Sequence, residues 1–334
     1  MEAVPILAVE GLRTTFRTPD ATVRAVDGVS WSVRAGEILG IVGESGCGKS
    51  VSALSVMGLV PDPPGHVEGS VRLAGRELVG LPEKDMQAIR GSAISMIFQE
   101  PMTSLDPVMR IGRQIAEPLL VHRGLSWGEA GAQALDLLER MHIPDAERRA
   151  GEYPHQLSGG MRQRVMIAMA LACRPAVLLA DEPTTALDVT IQAQILDLLL
   201  DLRRELATAI VLITHDLGVI AETADRVVVM YAGRKVEEAP VVDLFARPQH
   251  PYTAGLLAAV PRLARPGAPQ RTRLAEIDGV VPALDRAIVG CRFAPRCRIA
   301  TDRCRRDDPP LEAKHDRHFA ACWHSDRAAE AVGG

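Results

Sequence analysis

The chain has 334 residues, of which 38 are Lys or Arg and 42 are Asp or Glu, so its formal charge is −4. This balance argues against a dedicated nucleic-acid binder, and 47% hydrophobic with 24% charged residues is typical of a globular protein. No apolar run approaches the ~20 residues of a membrane helix, and the first residues lack the basic segment and cleavage site of a signal peptide. These features predict a cytosolic chain of two ordinary domains, or of one large domain with an appendage.

Short apolar runs between turn signals predict four strands at the start of the chain. These strands are 6–9, 23–26, 29–33 and 38–42, the last running into a glycine-rich stretch. A helix is expected over 51–59, and the sequence from about 101 to 160 is helical in pattern, with its clearest amphipathic stretch at 130–141.

Two later runs, 177–180 and 210–214, are continuously apolar, as in strands buried on both faces of a parallel sheet. A helical pattern with a period of 3.6 residues separates them, so the chain alternates strand and helix as α/β proteins do. Residues 240–285 are richer in Pro and lose the period, which predicts a domain boundary near 240–255.

The glycine-rich stretch fits the pattern G-x-x-x-x-G-K-S between a predicted strand and a predicted helix. In this pattern backbone N–H groups at a helix N-terminus converge on phosphate oxygens. Lys49 is expected to neutralise the β- and γ-phosphates and Ser50 to hold Mg²⁺. Cys47 is interpreted as a small filler rather than a nucleophile. The expected nucleotide-binding residues here are Gly43, Ser45, Gly46, Cys47, Gly48, Lys49 and Ser50.

A second acidic site follows the apolar run at 177–180, which ends in Asp181 and Glu182. Asp181 is predicted to bind Mg²⁺ beside the phosphate loop, and Glu182 to polarise an attacking water. Together with the phosphate loop, these carboxylates indicate a nucleoside triphosphatase.

Residues 157–164, Leu-Ser-Gly-Gly-Met-Arg-Gln-Arg, resemble the LSGGQ signature of ATP-binding cassette (ABC) ATPases. Ser158, Gly159 and Gly160 precede a helical run, as at an exposed helix N-terminus. Gln99, after a strand predicted at 94–98, looks like the family's Q-loop, and 186–188 look like its D-loop. His215 matches the switch histidine, and Phe16 lies where the family places the aromatic ring that stacks on adenine.

The resemblance covers about residues 5–250 and implies an α/β nucleotide-binding domain over 1–250. Such a domain has a RecA-like parallel-sheet core, an antiparallel β subdomain and a helical subdomain, here at about 101–160. It also implies that Glu182 is the base, that His215 orients water and the γ-phosphate, and that Gln99 reports nucleotide binding to membrane subunits. Ser50, Gln99 and Asp181 would hold Mg²⁺, and Ser158 and Gly160 would contact the ATP on a head-to-tail partner.

Three further segments, 153–156, 250–253 and 290–297, resemble the oligopeptide/dipeptide importer branch of the family. This implies a C-terminal extension over 251–334 and a role in powering peptide import, with nickel or glycans as alternative cargo. The implied partners are two transmembrane permease subunits, a second ATPase subunit of the same or a related chain, and an external binding protein acting through the permease, with no nucleic acid. The implied location is the cytoplasmic face of the inner membrane.

Four cysteines crowd the extension in the spacing C-x5-C-x6-C-x17-C: Cys291, Cys297, Cys304 and Cys322. In a cytosolic chain such a cluster suggests metal ligation before disulfides. The branch resemblance implies a [4Fe–4S] cluster, while zinc and unliganded thiols stay open. Seven arginines around the cysteines form a candidate basic shell that would offset the charge of ligated thiolates: Arg286, Arg292, Arg296, Arg298, Arg303, Arg305 and Arg306.

Two other classes compete with a transporter subunit. A soluble ABC ATPase of DNA repair would insert a long coiled coil between the phosphate loop and the acidic strand, but the 132 positions from Lys49 to Asp181 hold ordinary elements. A translation factor of the family would carry two cassettes, and this chain has one set of motifs. A metal-binding regulator with a vestigial ATPase would not hydrolyse ATP at all.

Overall fold

The computed structural model describes residues 4–100, 104–185, 188–260 and 277–331. These residues form two compact units. The first unit holds the described parts of 4–8, 32–38 and 72–213, and the second unit holds those of 9–31, 39–71 and 214–331. No helix in the described ranges is long and apolar enough to cross a membrane.

The strands of the described residues are β1 (Leu7–Arg17), β2 (Thr22–Val33), β3 (Ile38–Val42), β4 (Gly65–Leu73), β5 (Arg76–Glu77), β6 (Ile94–Ile97), β7 (Val177–Asp181), β8 (Ala209–Ile213), β9 (Arg226–Tyr231), β10 (Arg234–Pro240), β11 (Glu312–His315) and β12 (His318–Ala320). The α-helices of the described residues are α1 (Lys49–Val56), α2 (Glu83–Ile89), α3 (Ile111–Arg123), α4 (Trp127–Arg140), α5 (Ala146–Ala150), α6 (Gly159–Leu171), α7 (Val189–Leu206), α8 (Leu217–Thr223), α9 (Val241–Ala246), α10 (Pro251–Ala259) and α11 (Asp302–Arg306).

The first unit contains the parallel strands β6, β7 and β8, in that order. All residues of β7 and β8 are buried, as the continuous apolar runs predict for strands covered on both faces. The amphipathic stretch predicted at 130–141 lies in α4, whose first turn is closed by a capping box between Ser126 and Glu129. The buried strand β7 ends at Asp181, so the strand positions the two acidic residues 181–182 at its carboxyl end.

The second unit contains a sheet of order β11-β12-β10-β9-β3. Strand β9 pairs in parallel with β3 and antiparallel with β10, and β10 pairs antiparallel with β12. The strands β11 and β12 of the C-terminal region therefore continue the sheet whose strand β3 ends at the phosphate loop. The first three strands of the other sheet follow the order β2-β1-β4.

One sequence expectation about secondary structure is wrong. The runs 23–26 and 29–33 are one continuous strand, β2, because Gly28 takes a φ of +76° within the strand instead of opening a turn. In the stretch 240–285, where the sequence loses the helical period, the structure has the helices α9 and α10. Helix α10 is apolar on nearly all sides, so it lacks the one-sided period by which a helix is detected. Residues 101–103 of the predicted helical stretch and 261–276 lie outside the described residues.

Candidate nucleotide-binding site

The phosphate loop joins the buried strand β3 to helix α1. Gly48 precedes the helix with a φ of +97°, and a Cβ there would lie 2.3 Å from the Ala25 carbonyl oxygen, so glycine is required. No side chain caps the first turn of α1. The loop therefore presents a helix N-terminus whose backbone N–H groups suit an anion.

Lys49 lies buried against its own loop. Its ammonium group donates to the carbonyl oxygens of Gly43, at 2.8 Å, and Glu44, at 3.0 Å. Cys47 is fully buried beside it, and burial raises the pKa of its thiol. A buried, protonated thiol supports the interpretation of Cys47 as a packing residue rather than a nucleophile.

Phe16 stands near the end of β1 and is half-buried. Thr14, two residues earlier and therefore on the same face of the strand, is 2.7 Å from the Ser55 hydroxyl of α1. This buried contact ties the face of β1 that carries Phe16 to the helix that follows the phosphate loop.

In the first unit, Glu182 follows β7 with a left-handed φ of +48°, a conformation that is costly for a non-glycine residue. Its carboxylate oxygen Oε2 accepts a hydrogen bond from the Gln99 amide at 3.1 Å and one from the Thr185 hydroxyl at 2.9 Å. Asp181 ends the strand with only 3% of its surface exposed. The structure thus brings the predicted residues Gln99 and Glu182 within hydrogen-bond distance and adds Thr185, which the sequence interpretation did not include.

The signature segment forms the N-terminus of α6. The Ser158 hydroxyl accepts a hydrogen bond from the Met161 backbone N–H at 3.4 Å, as an N-cap does. Gly159 and Ser158 are exposed, whereas a Cβ at Gly160 would lie 3.1 Å from Ile191 of α7. Arg162 donates to the carbonyl oxygen of Pro154 at 2.7 Å, which ties the first turn of α6 to the residues that precede the signature segment.

The predicted residues Asp188 and His215 lie at or just before the start of a helix. Ala186 and Leu187 of the predicted D-loop lie outside the described residues, but Asp188 caps α7 by accepting from the Ile191 N–H at 3.0 Å. His215 is exposed and belongs to the second unit, just before Asp216, which caps α8.

Comparisons with known proteins decide the family. The profile of the family described as ABC transporter matches residues 26–185, and that of the oligopeptide/dipeptide transporter C-terminal region matches residues 236–304. The chain is 55% identical to the probable peptide ABC transporter ATP-binding protein y4tR of Sinorhizobium fredii, over 96% of this chain and 95% of that protein. It is 52% identical to the oligopeptide transport ATP-binding protein OppD of Salmonella typhimurium, over 95% and 93%. The chain belongs to the ATP-binding subunits of oligopeptide ABC transporters.

The solved structures agree with this assignment. The chain is similar to the ATP-binding cassette MJ0796, solved as a dimer in a post-hydrolysis state bound to ADP and Pi. The TM-score is 0.64 at 30% identity, over 70% of this chain and 98% of that one. The predicted ABC ATPase fold is confirmed, and an ATP hydrolase coupled to transport is the enzyme class of this family of subunits.

The C-terminal region of this ABC subunit brings its four predicted cysteines together. Cys291, Cys297, Cys304 and Cys322 line one cavity of about 10 Å³, among mostly apolar neighbours. All four are free thiols. Burial raises the pKa of Cys291 to about 12 and that of Cys322 to about 11. Within the described ranges, however, no group of three or more His, Cys, Asp or Glu residues has the arrangement of a metal-ion site.

Five of the seven arginines of the predicted basic shell have partners other than the cysteines. Four of them pair with carboxylates: Arg292 with Asp27, Arg296 with Glu44, Arg298 with Asp278 and Arg305 with Asp302. Arg303 stacks on the Trp323 ring, 3.5 Å from its centroid. Sequence alone offers no sign of four of these five contacts, because the two residues of each are 20 or more positions apart along the chain.

Proposed function

We propose that the chain binds and hydrolyses ATP to power peptide import through a membrane permease, with Glu182 as the general base. The observation that most directly supports this role is the position of the Glu182 carboxylate at the end of β7. It accepts hydrogen bonds from Gln99 and Thr185, and the Glu182 backbone is left-handed. These two hydrogen bonds hold the carboxylate at the end of β7, where a base that polarises water would act.

The residues of the phosphate loop would bind the triphosphate. Lys49 would exchange its contacts with loop carbonyl oxygens for the β- and γ-phosphates, while backbone N–H groups of the first turn of α1 bind phosphate oxygens. Ser50, Gln99 and Asp181 would hold Mg²⁺, whose preference for oxygen ligands their side chains meet. Bound Mg²⁺ supplies charge neutralisation on the phosphates. Phe16 would stack on adenine, and His215 would orient the γ-phosphate.

We also propose that the exposed N-terminus of α6 completes the ATP site of a second ATPase subunit. Exposure of Ser158 and Gly159, and the dimeric state of the similar cassette MJ0796, support this role. The remaining partners would be two permease subunits and an external binding protein that delivers cargo to them. The chain would then be peripheral, on the cytoplasmic face of the inner membrane, with residues 1–250 as the ATPase domain and 251–334 as the extension.

The test is reconstitution of the full chain with its permease, partner ATPase and binding protein in proteoliposomes. We expect peptide to stimulate ATP hydrolysis and to accumulate inside, with Mg²⁺ required. Stimulation by nickel or a glycan, and not by peptide, would replace the cargo and keep the ATPase role. Absence of hydrolysis in the complete complex would overturn the proposal in favour of a vestigial ATPase.

For the four cysteines we propose a [4Fe–4S] cluster. Four free thiols around one cavity are the donor set of such a cluster. A cavity of about 10 Å³ holds no more than one water, so the cysteines must move apart to admit a cluster. Because burial raises the pKa of Cys291 and of Cys322, loading must also release the protons of these two thiols. The bound group would staple a region that has little apolar core of its own.

The metal content after strictly anaerobic purification tests this proposal. We expect about four irons and matching sulfide per chain, lost in Cys304→Ser and kept in Cys173→Ser, which removes a buried thiol of the first unit. About one zinc per chain, or no metal, would refute the iron–sulfur cluster and leave the ATPase proposal intact.

A further inference from the structure

Two segments that resemble the importer branch, 250–253 and 290–297, converge on one residue of the phosphate loop. Tyr252, from segment 250–253, accepts a hydrogen bond from the Glu44 backbone N–H at 2.8 Å. Arg296, from segment 290–297, forms a bidentate ion pair with the Glu44 carboxylate, at 2.6 and 3.0 Å. All of these residues lie in the second unit.

Arg296 is held rigidly enough to act as a fixed support. Only 4% of its side chain is exposed, and it donates to the backbone carbonyl oxygens of Ile277 and Asp278, each at 2.9 Å. Its guanidinium group lies 5.8 Å from the centre of the Tyr231 ring. The hydrogen bond to Glu44 raises the pKa of Arg296, so it stays charged. A lysine could not reproduce this planar, multiply bonded arrangement.

Tyr252 is equally fixed. It is fully buried, its ring packs 4.6 Å from that of Tyr231 and 5.5 Å from that of Phe293, and its hydroxyl points at the loop. The backbone N–H of Tyr252 donates to His250 Nδ1 at 3.1 Å, which anchors the start of α10.

Glu44 transmits this support to the phosphate-binding lysine. Its side chain is held by Arg296 and its N–H by Tyr252, while its carbonyl oxygen accepts from the Lys49 ammonium group at 3.0 Å. The contacts of Glu44 therefore help to position Lys49 and the loop backbone before phosphate binds. A loop fixed in advance loses less conformational freedom on binding, which favours affinity.

We propose that Arg296 and Tyr252 are positioning residues that fix the phosphate loop through Glu44, so that the C-terminal extension sets the affinity for ATP. This inference rests on the proposed binding of ATP at the loop. It gives the two branch segments a function that does not depend on metal at the cysteines.

The experiment compares Arg296→Gln with Arg298→Gln in the full chain, by direct binding of MgATP and by KM and kcat in the complete complex. Arg298 is a matched control because it pairs with Asp278 nearby but is half exposed. We expect Arg296→Gln to weaken MgATP binding about 10-fold or more, since charge-assisted buried hydrogen bonds are lost. KM should rise while kcat changes little, Arg296→Lys should restore binding only in part, and Arg298→Gln should bind as the wild type does.

A double-mutant cycle separates positioning from general damage to the fold. The second variant of the cycle is Glu44→Gln, at a loop position where 28% of the side chain is exposed. It can test the inference by itself if Arg296→Gln fails to fold. If Arg296 acts through Glu44, the variant with both substitutions should bind ATP no more weakly than whichever single variant binds ATP more weakly. Additive losses, or wild-type affinity in both single variants, would overturn the inference. A wild-type chain that binds no ATP would instead overturn the proposed function.

Discussion

Glu182 and Glu44 are two glutamates that each follow a buried strand, β7 and the phosphate-loop strand β3, yet they are held in opposite ways. Glu182 is held by an amide and a hydroxyl on a costly left-handed backbone. Glu44 is held by a bidentate guanidinium group and a tyrosine hydroxyl, and its own carbonyl oxygen supports Lys49.

The difference teaches which of the two carboxylates is available for chemistry. An amide and a hydroxyl orient a carboxylate by single hydrogen bonds, whereas a bidentate arginine pairs with its charge and fixes both of its oxygens. This contrast agrees with the two proposed roles, Glu182 in the reaction and Glu44 in the shape of the loop. We expect the same residue type to serve turnover in one unit and binding in the other.

The strongest test of the contrast is the same isosteric change at both positions. Glu182→Gln should lower turnover in the complete complex by roughly 10²–10⁴-fold, because the base is lost, while ATP binding persists and a closed dimer accumulates. Glu44→Gln should weaken ATP binding and leave kcat at saturating ATP near that of the wild type. Undiminished hydrolysis in Glu182→Gln would remove its assigned role, and identical profiles for the two variants would abolish the distinction.

A third glutamate, Glu237, contacts the start of the segment that carries Tyr252, and so tests how the support of Glu44 is anchored. Glu237 is fully buried and accepts from the backbone N–H groups of Gln249, at 2.6 Å, and His250, at 3.0 Å, with His318 Nε2 2.7 Å away. Glu237→Gln turns one acceptor into a donor, so at least one buried donor loses its partner. We expect a loss of about 1–3 kcal/mol in the free energy of unfolding, measured by urea titration.

The matched control for this loss is Glu312→Gln in β11, where the carboxylate is about half exposed and pairs with Lys314. Its effect should stay within about 0.5 kcal/mol. Equal urea midpoints for the two variants would show that the Glu237 contacts do not anchor the segment that carries Tyr252.

A smaller effect is expected on the Glu182 side. Thr185→Val keeps the shape of the side chain but removes the hydroxyl that donates to Glu182 Oε2. Loss of a hydrogen bond to a charged group costs about 1.5 kcal/mol or more, so turnover should fall roughly 10-fold. ATP affinity should be unchanged, and Thr185→Ser should restore turnover. Wild-type turnover in Thr185→Val would mean that the Thr185 hydroxyl is not needed to orient the base.

The sequence predicted the parts of the molecule whose determinants are local. The strand β3, the glycine-rich loop and helix α1 are adjacent in the chain, and their pattern identifies them together. The supports of Glu44 could not be predicted in this way, because Tyr252 lies 208 positions away and Arg296 252 positions away. Arg296 stands in an arginine-rich stretch, which in a sequence is typical of a solvated surface. Only the structure shows that its side chain is buried and paired with the phosphate loop.

The smallest of these effects concerns the tyrosine that supports Glu44. Tyr252→Phe removes only the hydroxyl that accepts the Glu44 N–H and leaves the ring packed against Tyr231 and Phe293. A neutral hydrogen bond contributes about 0.5–1.5 kcal/mol, so MgATP affinity should fall about 2- to 10-fold, less than in Arg296→Gln. Tyr153→Phe makes the same chemical change in the first unit and should leave affinity unaltered. If Tyr252→Phe bound MgATP as tightly as Tyr153→Phe, the arginine alone would position the loop.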